Sequence, residues 1–150
     1  MLFRSGGTDS PPGTGFTSIS TNRQAFAALK ADGSIVTWGD SAAGGTNGTG
    51  VPTGTGYTKI ISNVNAFAAI KADGSVVSWG NSANGGTGAP TGTGYTQFTF
   101  NSSAFAAMKP DGSIVTWGLS SAGGAGSFTA PRGSGFTSLV ANGLVNLPVR

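Results

Sequence analysis

Apolar and polar positions alternate along this chain in a pattern that is written three times. Residues 25–39 read Ala-Phe-Ala-Ala-Leu-Lys-Ala-Asp-Gly-Ser-Ile-Val-Thr-Trp-Gly, and residues 66–80 and 104–118 repeat it almost letter for letter. Each copy holds two short apolar runs separated by Asp-Gly, a strong hairpin signal. A third run precedes them, as in Phe16-Thr-Ser-Ile-Ser20 and Tyr95-Thr-Gln-Phe-Thr-Phe100. The alanine content would suit a helix, but the Asp-Gly turn beside β-branched residues predicts strands. With Asp32 and Gly33 as the two central residues of a type I′ turn, Ala27 should face Trp38, Leu29 should face Val36, and Phe26 should face Gly39. Large would then meet small across the hairpin, and an aromatic would cover a strand glycine. Neither face is polar, so both faces should be buried between stacked sheets.

The tryptophans fall at 38, 79 and 117, a period of about 40 residues that signals one supersecondary unit copied along the chain. Each unit opens on Gly-Thr-Gly or Gly-Ser-Gly before Phe16, Tyr57, Tyr95 or Phe136. An asparagine follows the first strand each time (Asn22, Asn63, Asn101, Asn142), a residue suited to a tight connection. A glycine pair then stands at a fixed distance after each tryptophan. The units differ in length only in the connectors that carry Pro52, Pro90 and Pro131, as expected of exposed loops. These features predict an all-β fold, a partial (open-arc) β-propeller of ~40-residue three-stranded blades. As a single array its parts would be 1–15 (the end of a truncated blade plus connector), blades 16–53, 54–91 and 92–132, and an incomplete blade 133–150. Met1-Leu-Phe-Arg-Ser5 fits no part of the repeat, and Leu144-Val-Asn-Leu-Pro-Val-Arg150 replaces the expected second strand. Neither end shows a polar cap of the kind repeat arrays use, so the chain reads as a piece of a longer protein. Trp38, Trp79 and Trp117 are expected core anchors, and Asp32-Gly33, Asp73-Gly74 and Asp111-Gly112 the turns.

Composition removes most chemistry. Charged residues make up 9% of the 150, hydrophobics 37%, and there are 27 glycines, no cysteine and no histidine. The net charge of +3 comes from cations scattered along the chain, whereas a nucleic-acid binder clusters them. Without cysteine there is no disulfide framework or thiolate metal site. The acids are Asp9, Asp32, Asp40, Asp73 and Asp111. Three of these are turn residues, which leaves too few for a paired acid/base site or a metal. No base is present to activate a serine or threonine. The expectation is no enzyme activity, no catalytic or metal residues and no cofactor. Lys30, Lys71 and Lys109 share one phase and form at most a sparse basic row. Asn47-Gly-Thr and Asn101-Ser-Ser are glycosylation sequons, meaningful only in a eukaryotic secretory setting.

The run Ala-Leu-Lys-Ala-Asp-Gly-Ser-Ile-Val-Thr-Trp-Gly resembles the repeat of the regulator of chromosome condensation family. In repeat length and three-strand blade it is most similar to the secreted bacterial β-lactamase inhibitors with a seven-bladed propeller. The resemblance covers residues 6–142. It implies a partner surface built from the loop before strand two (22–24, 63–65, 101–103) and the loop after Trp-Gly (40–43, 81–84, 119–122). Candidate partner-binding residues are therefore Asn22, Arg23, Gln24, Asp40, Asn63, Asn65, Asn81, Asn84, Asn101 and Leu119. These loops carry no aromatic anchor, and the acidic and histidine residues of the chromosome-condensation partner face have no counterpart. The expected function is a non-catalytic recognition module that binds a protein or surface ligand through rim loops, within an exported or cell-surface bacterial protein. The alternatives are a structural spacer or stalk in a giant repeat protein, and a guanine nucleotide exchange or chromatin-type factor.

Overall fold

In the computed structural model, the structure describes residues 11–48, 50–124, 134–141 and the backbone of 146–149. Three three-stranded antiparallel sheets follow one another: β1 (Phe16–Thr21), β2 (Ala25–Lys30) and β3 (Ile35–Gly39); β4 (Tyr57–Ser62), β5 (Ala66–Lys71) and β6 (Val76–Gly80); β7 (Gln97–Phe100), β8 (Ala104–Met108) and β9 (Ile114–Gly118). A short 3-10 turn follows each third strand, at Ser41–Ala43, Ser82–Asn84 and Ser120–Ala122. A fourth unit contributes the hairpin β10 (Ser138–Ala141) and β11 (Asn146–Val149). The fold is all-β, an open arc of propeller-type blades. Pro148 lies opposite Leu139 in β11, which pairs only with β10 among the described residues. That edge position tolerates a residue without a ladder donor. The expectations placed on 1–10 and on Pro131, Asn142 and Leu144 fall outside the described residues.

The hairpin register differs from the sequence-based expectation by one residue. Phe26 faces Trp38, Ala27 faces Thr37 and Ala25 faces Gly39. The other two blades match, with Phe67 opposite Trp79 and Phe105 opposite Trp117. The reason is the turn. Lys30 N donates to Ser34 O at 2.9 Å and Gly33 N to Lys30 O at 2.9 Å, so three residues, not two, span the loop. Gly33 holds φ at 82°, the left-handed position that closes such a three-residue hairpin. Rings therefore meet rings within a blade: Phe26 and Trp38 stack with centroids 5.2 Å apart, as do Phe67 and Trp79, with Phe105 and Trp117 at 5.4 Å.

Large meets small between blades instead. Ala25, Ala27 and Leu29 of the first blade pack on Phe67, Ala69 and Trp79 of the second. Ala66, Ala68 and Ile70 of the second pack in turn on Phe105, Ala107 and Trp117 of the third. The alanines let the sheets approach while each aromatic pair fills the gap, and every such ring contributes roughly 1.5–3 kcal/mol through burial. Gly44 completes the seal. A Cβ there would sit 2.9 Å from Trp79 Cδ1 and 3.0 Å from Phe67 Cδ2, and its carbonyl accepts the Trp79 Nε1–H at 3.1 Å. Gly85 lies over Phe105 and Trp117 in the same way.

The hairpin turns join successive blades from another side. Asp32 O accepts from Gly56 N at 3.0 Å and Gly33 O from Tyr57 N at 3.2 Å. Asp73 O and Asp111 O accept from Gly94 N and Gly135 N. The Gly-Thr-Gly segments are thus docking sites for the preceding turn. The inner strands touch as well: Ser62 Oγ donates to Thr21 O at 2.7 Å and Ser20 Oγ to Ile60 O at 3.2 Å.

Candidate recognition rim

The asparagine that ends each first strand fixes the geometry of the rim. Asn22 Oδ1 accepts from Gln24 N and Ala25 N, while its Nδ2 donates to Ala43 O at 2.8 Å. Asn63 does the same with Asn65 N, Ala66 N and Asn84 O, and Asn101 with Ser103 N, Ala104 N and Ala122 O. Main-chain bonds run alongside, from Asp40 N to Gln24 O, Asn81 N to Asn65 O and Leu119 N to Ser103 O. The loop before strand two and the loop after Trp-Gly are therefore stapled into one edge in every blade. The two sets of loops that the family resemblance implies as a partner surface lie together at the same end of the arc.

Stapling occupies the side chains that hold it. Asn63 is 7% exposed and Asn101 3%, and a buried amide is stable only when its hydrogen bonds are made. Asp40 Oδ1 accepts from Ala42 N at 2.8 Å and Asn81 Oδ1 from Ala83 N at 2.9 Å, each capping its 3-10 turn. Leu119 replaces this cap in the third blade, makes no such bond and stays 40% exposed. Asn84 serves through its carbonyl. Arg23 and Gln24 have exposed side chains, and Asn65 is half-buried. The sequon asparagines differ: Asn47 is exposed in a loop, whereas the Asn101 amide is enclosed.

Between the three asparagines lies a cleft of about 470 Å³, walled by Thr21 and Arg23, Ser62 and Val64, and Phe100 and Ser102. Blade-to-blade main-chain bonds form its floor, from Arg23 N to Val64 O at 3.1 Å and Val64 N to Ser102 O at 3.2 Å. Phe100 is 42% exposed. It lies at the end of β7, one residue before the loop, where the other copies carry Thr21 and Ser62. The loop assignment therefore missed it. Aligning the copies shows the signal: Thr, Ser and Phe occupy one phase and Arg, Val and Ser another, beside Ala-Phe-Ala-Ala segments that do not vary at all. A larger cleft of about 650 Å³ lies between β6 and the connector at 86–92, and no charged residue lines it.

Charge elsewhere is tied to structure. Lys30, Lys71 and Lys109 each place the ammonium over the entry ring of their own blade, at 5.3 Å from Phe16, 4.9 Å from Tyr57 and 4.9 Å from Tyr95. The Ser34 hydroxyl and then its N–H hold the Asp32 carboxyl below the usual value of 3.8, and Ser75 does the same for Asp73. For Asp111 the Ser113 N–H leads and the hydroxyl follows. Burial raises the Tyr57 phenol. Among the described residues no group of three histidine, cysteine or acidic side chains is placed to hold a metal. No helix among them is long and apolar enough to cross a membrane.

Blade sheets, inter-blade stacking and a loop-built rim define a repeat array of the β-propeller type. The ectodomain of the receptor kinase CR4 from Physcomitrella patens has this fold, with a TM-score of 0.55 and 23% identity over 84% of the present chain. Human WBSCR16 superposes less well, at a TM-score of 0.48 and 19% identity over 69% of the chain. The chain spans 33% of the length of each. No protein-family model and no curated protein sequence matches it.

Proposed function

We propose that the chain is a non-catalytic recognition module, part of a larger exported bacterial propeller of the regulator of chromosome condensation repeat type, and that it binds a protein or surface ligand through the stapled rim. One observation carries this reading: the copies keep their Ala-Phe-Ala-Ala segments, tryptophans and Asp-Gly turns and differ where the rim cleft is built. Stacking needs the alanines, rings and turns, but it does not need Arg23, Val64 or Phe100 to differ. The shared fold with a receptor-kinase ectodomain supports a place outside the cell.

A structural spacer is the second reading, favoured by the asparagine amides being spent on their own backbone. Panning a random twelve-residue peptide library on the immobilised chain separates the two. Recognition predicts enriched sequences whose binding falls when Arg23→Glu and Phe100→Ser are combined. Absence of enrichment, or binding indifferent to both changes, would establish the spacer. A nucleotide-exchange or chromatin-type factor would instead need a basic or acidic face, and among the described residues the only charged wall residue of the cleft is Arg23.

A further inference from the structure

We infer that the rim cleft accepts a protein segment presenting a bulky apolar side chain beside a carboxylate. This rests on the recognition reading and names its ligand. The cleft is polar by composition but not by surface. Thr21 Oγ1 has its one hydrogen within reach of Asn22 O and Ala25 O, and Ser62 Oγ donates to Thr21 O. The three asparagine amides turn to main-chain partners in their own blades, and the N–H groups of Arg23 and Val64 are bonded across the blades. A polar ligand therefore finds few partners there, and leaving its own groups unpaired costs affinity. Val64 and the exposed Phe100 ring remain to be covered, and an aromatic on the wall of a small cleft is a typical anchor contact.

The second element is charge. Arg23 is the only charged residue lining the cleft among the described residues. Its guanidinium is exposed and has no ion pair or side-chain hydrogen bond among the described residues. Among the described residues no acid lines the cleft to oppose an incoming carboxylate, which an arginine can hold with two parallel bonds. The volume of about 470 Å³ lies toward the low end of the roughly 300–1,000 Å³ of ligand clefts. That is room for the tip of a loop. A nucleic acid would need several cations in this place, and only one is present.

The test uses three capped tetrapeptides, acetyl-Gly-Phe-Asp-Gly-amide, acetyl-Gly-Phe-Lys-Gly-amide and acetyl-Gly-Ala-Asp-Gly-amide, titrated into the nitrogen-15-labelled chain. The Phe-Asp peptide should shift the amides of residues 21–23, 62–64 and 100–102. The Phe-Lys peptide should bind roughly threefold to fivefold more weakly, the range of an exposed charge pair. The Ala-Asp peptide should shift nothing. Arg23→Glu should invert the preference between Asp and Lys, and Phe100→Ser should abolish the preference for Phe with an unchanged circular dichroism spectrum. Equal shifts from all three peptides, or none from any, would overturn the assignment. Shifts confined to 40–43, 81–84 and 119–122 would also overturn it while leaving recognition by the rim intact.

Discussion

Trp79 and Trp117 are equivalent in the repeat, but only one completes its hydrogen bonding, and that difference is measurable. Both are essentially unexposed, at 0% and 1%, and both stack on a phenylalanine at 5.2 and 5.4 Å. Trp79 Nε1 donates to Gly44 O at 3.1 Å, whereas Trp117 Nε1 is buried without a partner. Trp→Phe removes similar ring volume at both sites, so the packing loss is common to the pair. At position 79 the change also removes a hydrogen bond and strands a buried carbonyl; at position 117 it removes an N–H that was already unsatisfied. A net bond contributes about 1 kcal/mol and an orphaned buried group costs about 1–3 kcal/mol, so Trp79→Phe should be the more destabilising by about 2 kcal/mol. In a chain of this length that corresponds to a difference of roughly 4–8 °C in Tm. Trp79→Ala sets the upper reference at about 3–5 kcal/mol. Urea unfolding followed by far-ultraviolet circular dichroism reads all three variants. Equal losses for the two phenylalanine variants, or a larger loss at 117, would refute the assignment of the hydrogen bond.

Two further outcomes follow from the turns. Gly74 and Gly54 both hold positive φ, at 84° and 91°, but a Cβ at Gly74 would lie 2.5 Å from the Tyr95 main chain while nothing lies within 4 Å of one at Gly54. Gly54→Ala should therefore cost about 1–2 kcal/mol for the left-handed backbone alone, and Gly74→Ala more than about 4 kcal/mol; equal melting temperatures would sink the docking of turn on entry segment. The carboxyls of Asp32, Asp73 and Asp111 lie below 3.8 in the folded chain, so their stabilisation is fully present above that value and is lost as pH falls through the depressed folded values. A series of melts from about pH 6 to about pH 2 should show this loss in the native chain and a flatter profile in the triple Asp→Asn variant; identical profiles would count against it.

The strands, their order and the stacked-sheet fold were legible in the sequence because the same strand and turn signals recur in phase. The register was not. Asp-Gly serves both a two-residue turn and the end of a three-residue one, and only the Lys30–Ser34 pairing decides between them. That single residue moved Trp38 from opposite Ala27 to opposite Phe26. The rim loops were legible as places, but the work of their side chains was not. Asn22, Asn63 and Asn101 suit a tight turn on local grounds alone, and their bonds to carbonyls 21 residues further on depend on the folded blade. Phe100 escaped because strand periodicity makes an aromatic there look like core, whereas its blade turns it toward the cleft.

The first unit joins the second, and the second the third, through the same few contacts: a turn carbonyl, a glycine lid and an alanine face. Whole units can accordingly be duplicated, lost or exchanged by recombination in the gene with every junction reproduced, while a break inside a unit would destroy one. The residues at the rim, Arg23, Val64 and Phe100 among them, can then be reshuffled as cassettes, and a new combination of rim residues inherits a scaffold that already folds.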